Sequence, residues 1–173
     1  MITKEALESA IVDNGESVYQ MSLEKPILLV FLRHFGCIYC REALIDLKDL
    51  STSIKEKNVI PILVHMSDTE TANKYLLDYG LEGVHQISDP KCALYSKFGL
   101  VQGKMGQLFG LKVWTRGFEQ MAKRNPFSLN KVGDALQMPG VFFVSKGKVT
   151  SMFVHHSIAD KPDYLSIIND GLA

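Results

Sequence analysis

Ile27-Leu28-Leu29-Val30-Phe31-Leu32-Arg33-His34-Phe35-Gly36-Cys37-Ile38-Tyr39-Cys40 is the stretch whose reading decides the fold. It begins with an unbroken apolar run rich in branched side chains, the pattern of a short strand buried on both faces, as in a parallel sheet. Arg33 to Gly36 then read as a loop. Beyond it Ala43, Leu44, Leu47, Leu50 and Ile54 recur mostly at three- and four-residue steps, the spacing of a helix with one buried stripe. Asn58 closes that segment, and Val59-Ile60-Pro61-Ile62-Leu63-Val64-His65 reads as a second buried strand, with Pro61 arguing against full pairing at its own position. Strand, helix and strand make one crossover unit, which joins parallel strands and is right-handed.

Working outward, residues 3–12 read as a short amphipathic helix ended by Asp13-Asn14-Gly15, and residues 17–23 as a short strand. Residues 69–79 are helical up to Gly80, and residues 84–88 form a short strand. Asp89-Pro90 opens a helix that runs through Phe98 and stops at Gly99. Val141-Phe142-Phe143-Val144 and the segment from Lys148 to His155 flank Ser145-Lys146-Gly147, a hairpin signal. Asp160-Lys161-Pro162 opens a last helix, and Gly171 follows its end. Residues 100–137 carry five glycines (103, 106, 110, 117 and 133) and Trp114, and read as an insertion with at least one helix, a lid or partner surface. The whole is an α/β chain with a mixed central β-sheet and helices on both faces.

The chain has 173 residues, 46% apolar and 22% charged, enough for one domain with a sizeable core, 1–173. Lys plus Arg equals Asp plus Glu at 19 each, so no basic surplus points to nucleic acid or an anionic membrane. The charged N-terminus lacks the apolar core of a leader, and no apolar run is long enough to span a bilayer. A cytoplasmic location is therefore expected. Three cysteines, Cys37, Cys40 and Cys92, do not suit an extracellular disulfide framework.

Cys37 and Cys40 stand where a buried strand ends and a helix begins, the end of an open α/β sheet at which reactive groups gather. A cysteine at a helix N-terminus feels unpaired backbone N–H groups and the positive end of the dipole, which favour the thiolate. Arg33, His34 and Arg41 act in the same direction. Residues three apart on a helix are neighbours, so the two sulfurs can bond with little backbone movement. Cys37, nearer the helix end, is expected to be the more exposed and ionised and to attack a disulfide or peroxide, with Cys40 resolving the product. Two other readings use the same pair. One is half of a metal site, for which Cys92 and the five histidines offer no regular second half. The other is a redox-inactive interaction module.

Phe31-Leu32-Arg33-His34-Phe35-Gly36-Cys37-Ile38-Tyr39-Cys40-Arg41-Glu42 resembles the peroxiredoxin-like proteins of the alkyl hydroperoxide reductase/thiol-specific antioxidant superfamily, in the branch with a Cys-x-x-Cys active site. The similarity continues at Ser88-Asp89-Pro90, Leu94-Tyr95 and Phe98-Gly99-Leu100, and returns at Gln137 to Val144 and at His155-His156-Ser157 with Asp160 to Asp163. The resemblance implies a thioredoxin-like fold with a peroxiredoxin-type insertion and thiol-dependent reduction of disulfides or (hydro)peroxides. It also implies a thiol reductant such as thioredoxin or glutathione, and no cofactor or metal. Some relatives in this branch reduce prostaglandin-type endoperoxides. Pro139 falls where such proteins place a cis proline against the active cysteines. Two positions depart from the peroxiredoxin pattern: Val30 stands at its proline and His34 at its hydroxyl residue, which leaves peroxidase and disulfide reductase both open.

Among the remaining candidates, Cys92 reads as a buried inert thiol, His65 as a satisfied edge residue, and Arg116, Lys123 and Arg124 as solvated. His155 and His156 point to opposite faces of a strand, so only one of them can line a cleft near the cysteines.

Overall fold

The computed structural model describes residues 2–33, 35, 37–103, 136–157 and 159–173, and Ile38 by its backbone alone. The segment 27–31 is all apolar and forms β1 (Ile27–Phe31), every residue of which is buried. It pairs in parallel with β2 (Ile60–His65), through Ile27–Ile60 to Phe31–Val64, and β2 pairs in parallel with β3 (His85–Ser88). On its other side β1 is antiparallel to β4 (Gly140–Ser145), which turns back as β5 (Lys148–Val154). The sheet is mixed, in the order β3-β2-β1-β4-β5, with β1 at its centre. Pro61 is accommodated because the pairing with β3 starts only at Ile62, so the missing N–H costs no bond on that side.

Alternation along the central strands sorts the core into two layers. Leu29, Phe31, Ile62, Val64 and Phe142 face α1 (Lys4–Ser9), α2 (Val18–Glu24) and α6 (Ala93–Lys97). Leu28, Val30, Leu63, Val141 and Phe143 face α3 (Ile38–Asp49), α4 (Ser51–Glu56), α5 (Thr69–Asp78) and α7 (Tyr164–Leu172). Helices thus cover both faces, as expected.

Several local readings change; the last helix opens at Tyr164 after its N-cap Asp163, not at Asp160, and Gly171 lies inside it rather than beyond its end. Residues 17–23 form a helix, not a strand. Ser17 accepts the Gln20 N–H, and the Gln20 side chain accepts the Ser17 N–H, a capping box that outweighs the β-branched and aromatic residues nearby. The single helix expected after the cysteines is two, joined at Leu50, where φ is −90° and ψ 0°. The helix expected from Asp89 begins four residues later. Asp89 stands outside it, and its carboxylate accepts the N–H groups of Ala93 (3.0 Å), Leu94 (2.7 Å) and Tyr95 (3.3 Å). The hairpin signal holds: Lys146 (φ 51°) and Gly147 (φ 73°) make a two-residue turn of the kind whose twist suits antiparallel strands.

The expected insertion at 100–137 has visible ends. Gln102 and Gln137 form an isolated antiparallel bridge, and the Gly103 N–H donates to the Leu136 carbonyl at 2.7 Å. Residues 104–135, with the glycines beyond 103, Trp114, Arg116, Lys123 and Arg124, lie outside the described residues.

Tyr95, fully buried, sets the upper end of the sheet. Its hydroxyl is 2.5 Å from the Leu32 carbonyl and 3.1 Å from that of Val64, and its ring packs edge-on against Phe31 at 5.0 Å. The phenol thereby fixes where β1 gives way to the loop carrying Arg33. Tyr95→Phe keeps the packing and strands buried carbonyl lone pairs, so urea unfolding is expected to show a loss of about 1–3 kcal/mol. His65 ends β2 fully buried. Its Nδ1 is 3.0 Å from the Ser67 carbonyl and its Nε2 2.9 Å from Gln86 Oε1. Burial lowers its pKa below the ordinary 6.5, against the raising effect of those two bonds. The unfolded chain therefore takes up this proton first as pH falls. Stability is expected to decline below about pH 6.5 in wild type, and less steeply in His65→Gln, as read by unfolding midpoints across pH.

Candidate active site

Cys37 is the N-cap of α3, with extended backbone (φ −80°, ψ 130°), and its carbonyl accepts the N–H groups of Cys40 (3.1 Å) and Arg41 (3.2 Å). Cys40 falls in the first turn, on the same side. Both are free thiols, and the Cys37 side chain lies within hydrogen-bonding reach of Cys40. The sequence-expected pair is thus brought together at the strand-to-helix junction.

Arg33 binds them both. Its backbone N–H donates to Cys40 Sγ at 3.1 Å, and its guanidinium Nη1 donates to Cys37 Sγ at 3.2 Å. Its Nε donates to the Gln137 carbonyl at 3.1 Å, which ties this arm to the segment entering β4. The residue is only 5% exposed, so its charge acts in a largely water-free setting and favours a negative sulfur strongly. Burial pushes the Cys40 thiol well above its ordinary value of 9.0, reinforced by Cys37 and opposed by Arg33. Cys40 is a neutral thiol at neutral pH.

Two expectations need correction. Cys37 is not distinctly more open than its partner: the two are 7% and 4% exposed, because Phe35 folds into the same apolar cluster and Arg33 reaches across to the sulfur. Phe35 in turn stacks on Tyr75 at 4.7 Å and 7°. The Met138–Pro139 bond is trans. Residues 137–140 run from the bridge with Gln102 straight into β4, and an extended path takes the intrinsically preferred isomer. Pro139 still lines the cleft beside Cys40. His34 lies outside the described residues.

That cleft, about 30 Å³ of space for water, is lined by Arg33, Cys40 and Pro139. Its lining also includes groups not singled out as site residues from sequence: Glu42, Asp46, Lys161 and Tyr164. Lys161 Nζ is 3.3 Å from Glu42 and 2.8 Å from Asp46. Burial works against its charge, yet the bond to Asp46 and the two carboxylates outweigh it and raise its pKa. His155 also lines the cleft, whereas His156 is exposed, its backbone N–H donating to Asp160. Gln137 is a further residue whose role was not legible. Its buried side-chain amide donates to the carbonyls of Leu100 (3.0 Å) and Met138 (3.2 Å), holding the carbonyl that Arg33 uses. Cys92 is half-buried, in the left-handed region at φ 53°. Among the described residues no group of three or more His, Cys, Asp or Glu side chains is placed to hold a metal ion, and no helix is long and apolar enough to cross a membrane.

A five-stranded sheet with two parallel and two antiparallel pairings, and a paired-thiol helix N-terminus at its upper edge, defines a thioredoxin-like dithiol architecture of peroxiredoxin type. Solved structures share that fold. The Xanthomonas campestris bacterioferritin comigratory protein matches with a TM-score of 0.63 at 11% identity, over 94% of this chain and 88% of that one. A peroxiredoxin 6 mutant of Arenicola marina matches with a TM-score of 0.62 at 15% identity, over 94% and 70%. The family model described as AhpC/TSA family matches residues 7–152, and the chain belongs to that family; it is an oxidoreductase. Curated relatives include the prostamide/prostaglandin F synthases of Salmo salar, 31% identical over 155 residues (85% of this chain, 76% of that one), and of Danio rerio, 32% identical over 160 residues (86% and 76%).

Arg33→Met keeps the side-chain volume and removes the charge at Cys37. Iodoacetamide alkylation of Cys37 at neutral pH, followed by mass spectrometry of its peptide, is expected to slow by about tenfold for each unit by which the thiol then titrates higher.

Proposed function

We propose that the chain reduces peroxides, or disulfides by the same chemistry, through a dithiol–disulfide cycle in which Cys37 attacks and Cys40 resolves. The single observation that carries this reading is Arg33 donating to both sulfurs at once, its guanidinium to Cys37 and its backbone to Cys40. A fixed buried cation at Cys37 makes that sulfur the nucleophile. Cys40, held neutral by burial, is the thiol kept in reserve.

With a peroxide, the Cys37 thiolate displaces an alkoxide or hydroxide. The O–O bond breaks, an S–O bond forms, and the leaving oxygen takes a proton. Cys40 then attacks the sulfenic sulfur, the S–O bond breaks, and water departs as the Cys37–Cys40 disulfide closes. With a disulfide, the same two attacks pass through a mixed disulfide and release the substrate as two thiols. An external thiol restores the dithiol. A yeast mitochondrial 1-Cys peroxiredoxin with the same fold (TM-score 0.60) is described as resolved through glutathione/thioredoxin systems, which supports a reductant of that class here. The names of the curated relatives, prostamide/prostaglandin F synthases, support an organic rather than an inorganic peroxide as substrate. A cytoplasmic site of action fits the use of free thiols.

Cys37→Ser is expected to abolish turnover. Cys40→Ser is expected to stop after one oxidation, with Cys37 trapped as a sulfenic acid or mixed disulfide visible by intact mass. Stopped-flow mixing with hydrogen peroxide, an organic hydroperoxide and an oxidised protein disulfide ranks the substrates. Full turnover by Cys37→Ser would falsify the assignment.

A further inference from the structure

We propose that the narrow cleft between Cys40 and the Glu42–Asp46–Lys161 cluster is the proton exit for the resolving step, a bound water passing the Cys40 proton to the carboxylate pair under the guidance of the Tyr164 hydroxyl. This rests on the dithiol cycle proposed above and assigns that cycle a part the two cysteines cannot supply themselves.

The need comes from burial. Cys40 is 4% exposed and must lose a proton in order to attack, yet its only described bonds are to Arg33 and Cys37. Cys37 is by then oxidised and is no base. Arg33 is a donor that cannot accept a proton. Cys40 lines the cleft, whose roughly 30 Å³ is room for a water, which needs about 10–15 Å³.

Other residues of its lining supply the acceptors. Glu42 and Asp46 lie one turn apart on α3, the helix of Cys40 itself, and point to the same side. Lys161 bridges the pair and leads to solvent, its own side chain being 47% exposed. From the segment between β5 and α7, His155 and Asp160 face the same space. Tyr164 is the independent indication. The residue is 3% exposed, it lies within electrostatic reach of Asp46, Cys40 and Glu42 together, and no described protein group bonds its hydroxyl. A phenol hydroxyl without a described protein partner, on a residue that lines a water-sized space, is a site for water. Burial, then those charges, raises its pKa, so it stays protonated and can only relay or orient.

The balance is simple. Cys40 loses H⁺ to the water, the water gives H⁺ to a carboxylate, and the carboxylate returns it to solvent beside Lys161. The Cys40 sulfur forms the S–S bond as the group on Cys37 leaves with the bonding electrons.

A chromogenic aromatic disulfide, 5,5′-dithiobis(2-nitrobenzoate), separates the steps. Attack by Cys37 releases one thiolate and resolution by Cys40 releases a second, both read by absorbance, in a Cys92→Ser background that removes the third thiol. In Glu42→Gln/Asp46→Asn the first release is expected within about twofold of the parent. The second is expected to slow by about tenfold or more near pH 7 and to recover toward about pH 9, where hydroxide takes the proton directly. Tyr164→Phe, which keeps the ring, is expected to slow the second release alone. Lys161→Met breaks the same ion pairs and leaves the carboxylates, so it separates a proton role from a packing role: its second release should keep the parent's pH profile. An unchanged second phase in the carboxylate double variant, or one slowed equally at both pH values, overturns the inference. A parent with no second release, or Cys37→Ser with both, overturns instead the dithiol cycle beneath it.

Discussion

A guanidinium almost wholly withdrawn from water is unfavourable unless its donors find acceptors, and that of Arg33 donates to the Cys37 sulfur and to the Gln137 carbonyl while its backbone N–H holds the Cys40 sulfur. The rest of the upper sheet edge is arranged around this requirement. Tyr95 ends β1 at the position that aims Arg33 back over the helix N-terminus, and Gln137 holds its own carbonyl still by bonding the chain on either side of it. Phe35, stacked on Tyr75, closes the apolar side. The charge that makes a thiol reactive is therefore supplied by contacts from four separate parts of the chain.

The central strand and the dithiol were legible because both are local. An unbroken apolar run tells of burial on two faces, and a cysteine three residues before another at a helix start places two sulfurs together whatever surrounds them. Ser17 to Leu23 misled because Val18 and Tyr19 favour strands, while a reciprocal bond between Ser17 and Gln20 decides the local backbone. Cys37 was expected to be open because helix termini usually are; its burial depends on Phe35 and Arg33 folding back, which no spacing reveals. Lys161 reaches Asp46 across 115 positions, and nothing in either neighbourhood announces the other. The isomer at Pro139 follows from the path of residues 137–140, a property of the sheet rather than of the dipeptide.

Solved relatives at 11–16% identity keep the sheet and its helices, so the architecture tolerates wholesale replacement of side chains. Layer packing needs apolar volume and alternation at each position, not particular residues. The thiol neighbourhood is less forgiving, since a donor displaced by an ångström no longer bonds a sulfur. Chemistry in such a fold is set at the loop after β1 and at the chain entering β4, the two places where Arg33 and Gln137 meet.

The bridge between Gln102 and Gln137 makes a closed neck in the chain. Residues 102–103 and 136–137 are stitched to each other before the chain rejoins β4. One strand of that neck also carries the carbonyl on which Arg33 rests. Any substitution that shifts this neck is felt at the reactive sulfur, a mechanical coupling that lets a change outside the thiol loop retune the chemistry.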